Sequence, residues 1–236
     1  MTQSYYRACD AQFWEQVPGI QGDQNFKSLD AVVSASCDEF GLKKTAKEIK
    51  ILSRLLALES ASDVDNDKVQ ISETSFKTLT KLFGSTEKRN GSCHLLKQIQ
   101  NIMINSRAMV DREKISWFAG PKNRETADEI LSDKKPGTYL IRMDEGEFVF
   151  TLRASKGSVH YIILGDPSTA SNQDKYDAKL KFKDDADEQT YPDIVQFVNR
   201  KIRMKEFDDV KAEFVCRDLK FNALFKGYAG DRNSSG

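Results

Sequence analysis

The stretch Pro136-Gly137-Thr138-Tyr139-Leu140-Ile141-Arg142 ends an apolar run on a permanently charged guanidinium. An arginine inside a hydrophobic strand needs an anion, because it keeps its proton and presents a rigid fork of donors. Upstream, Trp117-Phe118-Ala119-Gly120 is followed by Arg124 and a helical stretch through Ala127, Ile130 and Leu131. Downstream, strands are predicted at 148–152 and 159–164 from their aromatic and β-branched residues. Turns at Asp144-Glu145-Gly146-Glu147 and Ser155-Lys156-Gly157-Ser158 imply antiparallel hairpins. A polar insert around 165–177 precedes a strand-like piece at 179–182, and 191–199 reads as a second helix with Pro192 in its first turn. The prediction is an α+β domain with a central antiparallel sheet flanked by two helices.

This order of residues resembles the Src homology 2 family. The resemblance rests on the tryptophan–aromatic–x–glycine entry at Trp117, the helix arginine Arg124, the strand ending in Arg142 and the strand pair His160-Tyr161. It covers about 116–199 and implies a phosphotyrosine pocket. The form 136–142 is particularly similar to the domains of STAT transcription factors and Cbl-type ubiquitin ligases, in which helical or EF-hand-like modules precede the phosphotyrosine module. No DNA-binding or RING segment is recognisable.

By that resemblance Arg142 supplies the bidentate donor to phosphate, Arg124 adds charge and stacks on the tyrosine ring, and His160 supports the pocket. The backbone amides of Asp144, Glu145 and Gly146 are expected to offer an anion-binding nest, with the Asp144 carboxylate turned away. Tyr161 lines the peptide groove or covers the sheet. Family members usually carry a serine where this chain has Asp144, and a longer loop after the strand arginine. Each feature also has a plain structural reading: Arg142 as an ion-pair partner, His160 as a core or edge residue, Trp117 as packing.

Residues 1–110 read mostly as helix, an all-α domain ahead of the Src homology 2-like domain at 111–236. Ile49, Leu52 and Leu56 recur at helical spacing, as do Phe76, Leu79 and Phe83, the latter run ended by Gly84, and Leu95, Leu96, Ile99, Ile102 and Met103 form a third stripe. Asp63, Asp65 and Asp67 follow the first positions of an EF-hand loop, but Lys68 replaces the turn glycine and Thr74 the final glutamate. A solvated acidic loop is expected there, and no metal site.

Acidic and basic residues balance at 36 each among 236, which argues against global attraction to nucleic acid or an anionic membrane. The first residues lack the charged and apolar segments of a signal peptide, and the four scattered cysteines are expected as reduced thiols in a cytoplasmic protein. No catalytic set and no cofactor motif emerges. The expected function is a non-enzymatic reader of tyrosine-phosphorylated proteins or peptides. It would act as a signalling adaptor, or as a bacterial effector in the cytosol of a host cell. The alternative is a structural interaction protein that keeps the fold and has lost phosphotyrosine binding, with Asp144 as its motive.

Overall fold

The computed structural model describes residues 8–20, 23–59, 69–89, 92–111, 113–166, 179–183, 189–207 and 210–219. The acidic loop with Asp63, Asp65 and Asp67 and most of the insert around 165–177 lie outside them. The chain divides into two compact units, the boundary falling after Gln100.

The first unit contains α1 (Ala8–Gln16), β1 (Gly19–Ile20), β2 (Asp23–Ser28), α2 (Leu29–Phe40), α3 (Lys47–Glu59), β3 (Gln70–Ser72), α4 (Glu73–Phe83), β4 (Lys88–Arg89), β5 (Ser92–Cys93) and the start of α5 (His94–Asn105). Ser28 and Ser72 cap α2 and α4 by accepting from Ala31 N and Ser75 N, satisfying amides that have no intrahelical acceptor. The apolar stripes of this unit are buried: Ile49, Leu52, Leu56, Phe76, Leu79, Phe83, Leu95, Leu96 and Ile99; Ile102 and Met103, past the boundary, are buried too. Phe76 stacks on Phe13 and Trp14, with centroids 5.5 and 5.2 Å apart.

The all-α expectation needs correction. Antiparallel strands β1, β2 and β3 form a sheet, and β4 pairs with β5. The sequence hides this sheet because the one buried residue of β2 is Lys27. Its ammonium group donates to Val17 O at 2.6 Å and to Gln24, and lies over the Trp14 ring at 5.4 Å. Burial lowers its pKa.

The second unit continues with β6 (Arg107–Val110), β7 (Glu113–Ser116), β8 (Phe118–Pro121), α6 (Arg124–Leu131), β9 (Thr138–Asp144), β10 (Glu147–Ala154), β11 (Gly157–Asp166) and β12 (Lys179–Phe182). Then come α7 (Ile194–Phe197), running into a π-helical turn (Val198–Ile202), and β13 (Glu206–Phe207), β14 (Val210–Lys211) and β15 (Phe214–Val215). The sheet order is β12-β11-β10-β9-β15, with β8 also on β9. Pairing is antiparallel from β9 to β12, while β8 and β15 run parallel to β9. The predicted antiparallel sheet is therefore present, with a parallel edge that the turn pattern did not reveal. Pro192 lies before the second helix, where Asp193 caps it by accepting from Gln196 N.

Register assigns the faces, since paired residues of adjacent strands point the same way. Arg142 pairs with Val149 and Leu140 with Thr151, which in turn pairs with His160. The face carrying Arg142 receives α6, through a core of Ala119, Ala127, Leu131, Leu140 and Cys216. The opposite face holds an aromatic cluster: Phe150 lies 4.9 Å from Phe207 and 6.1 Å from Phe182, and Phe182 meets Phe197 edge-on at 4.8 Å. No helix among the described residues is long and apolar enough to cross a membrane.

Candidate phosphate pocket

The sheet's polar centre is buried on the face that α6 covers. Arg142 is 2 % exposed although charged. Its Nε donates to Thr151 Oγ1 at 3.2 Å, and one terminal nitrogen donates both to Lys122 O at 3.0 Å and to the Asp144 carboxylate. Lys122 belongs to the segment between β8 and α6, so the start of the helix is tied to the middle of β9.

Thr151 carries the network to the next strand, its Oγ1 lying 3.2 Å from His160 Nδ1. The guanidinium only donates, so the hydroxyl accepts from it and keeps its own hydrogen and a second lone pair for contact with His160. On its other side, His160 Nε2 stands 3.0 Å from Asp128 Oδ1 on α6. Burial lowers the His160 pKa, and the charges of Arg124 and Arg142 lower it further, against the opposing pull of Asp128.

Arg124 is the first residue of α6, after the capping residue Asn123. Its side chain is 66 % exposed and reaches Asp128 at 4.0 Å, one helical turn on. Thus the structure brings Arg142, Asp144 and His160 into one bonded group and attaches Arg124 at its rim through Asp128.

Glu145 and Gly146 form the two-residue turn between β9 and β10, where Asp144 pairs with Glu147. Both have positive φ, 48° and 77°, the backbone of a type I′ hairpin turn. The expectation that the Asp144 carboxylate turns away is not met. It alternates onto the Arg142 face and pairs with the guanidinium there. Tyr161 lies on the opposite face, 5.9 Å from Phe150 and 5.1 Å from Phe207.

Thr151, Asp128 and Lys122 O were not among the residues picked from the sequence. Thr151 had a signal: it is the polar residue in the apolar run Phe148-Val149-Phe150-Thr151-Leu152. Asp128 had another, its helical spacing from Arg124. Among the described residues no group of three or more His, Cys, Asp or Glu is placed to hold a metal ion.

Residues 117–196 match the SH2 domain family model. The match lies within the second unit and contains every residue of this pocket. Local sequence similarity extends to SH2 domain-containing adapter protein D, at 41% identity over 51 residues in Mus musculus and 43% over 51 residues in Homo sapiens. Each alignment covers 20% of this chain and 15% of the relative, so the chain spans about one seventh of the length of those proteins. Among solved structures, CED-2 is similar at 25% identity with a TM-score of 0.32, covering 41% of this chain and 56% of that one. The SH2 domain of human proto-oncogene protein VAV1 is similar at 17% identity with a TM-score of 0.32, covering 51% and 78%. The segment that matches the SH2 model thus comprises helices and a central antiparallel sheet, with Arg142 on β9 inside the matched range.

Proposed function

We propose that the SH2 segment reads phosphotyrosine on other proteins and that the chain acts as a non-enzymatic signalling adaptor in the cytoplasm. The observation that carries this reading is the buried Arg142 guanidinium, held at Nε by Thr151 and beside the α6 segment that brings Arg124 and Asp128. A dianionic phosphoryl group satisfies such a fork better than any other common protein modification. The relatives named as SH2 adapters point the same way over their short alignment.

The test is calorimetric titration of a mixed phosphotyrosine-peptide pool, and of its unphosphorylated counterpart, into the wild-type chain and Arg142→Ala. Binding that requires both the phosphate and Arg142 is expected, with a loss of about 2–5 kcal/mol in the variant. Equal binding of both pools, unaffected by Arg142→Ala, would refute the proposal. It would favour the second reading, an interaction protein that retains the fold without phosphate recognition. The Arg142–Asp144 ion pair is the observation on that side.

A further inference from the structure

The occupant of this pocket before any ligand arrives is part of the protein itself. Of the five N–H donors of Arg142, three are committed, to Thr151 Oγ1, Lys122 O and the Asp144 carboxylate. Among the described residues the second terminal nitrogen has no hydrogen-bond partner. The two sides of the ion pair are unequally exposed, with side chains 3% and 28% accessible for Arg142 and Asp144. The guanidinium is anchored by a second strand and by the α6 segment, whereas the carboxylate sits at the last residue of β9, beside solvent.

We propose that Asp144 is an internal ligand of Arg142, so that phosphate binding is an exchange in which the carboxylate leaves for water. The inference rests on the phosphotyrosine reading above. A phosphoryl group gripping both terminal nitrogens needs the nitrogen that Asp144 occupies. With Asp144 in place only one nitrogen is open, and the carboxylate repels the incoming phosphate. The short turn enforces this arrangement, because Glu145 and Gly146 close the hairpin directly after Asp144 and keep it in strand register with Arg142. In exchange, the ion pair compensates a buried charge while the pocket is empty. A pair closed about nine-tenths of the time weakens the apparent affinity about tenfold.

The probe is free phosphotyrosine, titrated calorimetrically into the full chain as wild type, Asp144→Asn, Asp144→Ser, Arg142→Ala and the double variant Arg142→Ala/Asp144→Asn. Circular dichroism melts verify that each is folded. Removing the carboxylate is expected to tighten binding about tenfold or more, in both single Asp144 variants, with no gain when Arg142 is absent. Binding by the Asp144 variants alone would support the same conclusion, with the wild type fully self-blocked. Equal or weaker binding by folded Asp144→Asn and Asp144→Ser overturns the inference and leaves phosphotyrosine recognition standing. No binding by wild type or either Asp144 variant overturns both.

Discussion

Arg142 and His160 hold opposite sides of one hydroxyl: Thr151 Oγ1 lies 3.2 Å from Arg142 Nε and 3.2 Å from His160 Nδ1. Thr151 is fully buried, so neither partner gains water when that oxygen is removed. Thr151→Val keeps the side chain's shape and leaves two polar atoms unpaired, which is expected to cost about 1–3 kcal/mol of stability. Thr151→Ser retains the oxygen and should lose less. Urea unfolding of the pair decides the matter, and equal stabilities would show that the hydroxyl links nothing.

His160 makes stability depend on pH. Its pKa in the folded protein lies below the ordinary histidine value, because burial opposes the charged form. The unfolded chain therefore binds the proton first, and acid favours unfolding. The contribution is complete above about pH 6.5 and is lost as pH falls from there toward the lowered folded value. Urea midpoints measured between about pH 5 and 8 should decline toward acid in wild type and decline less in His160→Gln. Parallel profiles would contradict the assignment.

The turn after β9 offers a stabilising change. Glu145 adopts φ 48°, a left-handed backbone that costs a residue with a Cβ about 1 kcal/mol. Glu145→Gly or Glu145→Asn should raise stability by about 0.5–1 kcal/mol, read as a higher thermal midpoint. A lower midpoint in both variants would mean that the Glu145 side chain makes a compensating contribution.

Phe207 is 3 % exposed, and its ring sits against Phe150, Tyr161 and Phe182, with centroids 4.9, 5.1 and 5.5 Å away. Phe207→Ala should cost about 3–5 kcal/mol through the cavity it leaves. Phe26, 40 % exposed on β2, provides the contrast: Phe26→Ala should change stability by less than about 1 kcal/mol. Denaturant midpoints of the two variants give the comparison.

The strands and helices around Arg142 were legible because each carries its own pattern. β9 and β10 are short, nearly continuous apolar runs in a sheet buried on both faces, and the turns that follow them fall where short hairpins need them. The first unit's sheet was illegible for the reverse reason: in β2 a lysine takes the buried position and Phe26 an exposed one. The site divided in the same way. Residue type exposed Arg142, but the direction of Asp144 depended on register across a turn, and Thr151 and Asp128 gained their roles only when β10 and α6 were laid beside β9. The parallel partner β15 is two residues long, too short to signal a strand by periodicity.

That small strand governs the order in which the molecule can be completed. Phe214 and Val215 pair with Thr138 and Tyr139, and Cys216 fills the core beneath α6 with Ala127 and Leu131. During synthesis the hairpins of β9, β10 and β11 can assemble as they emerge, because their contacts are local. The start of β9 must wait. It keeps an open edge until the ribosome has delivered residues well past the last one matched to the SH2 family, so the nascent chain carries a nearly finished pocket on an unfinished sheet.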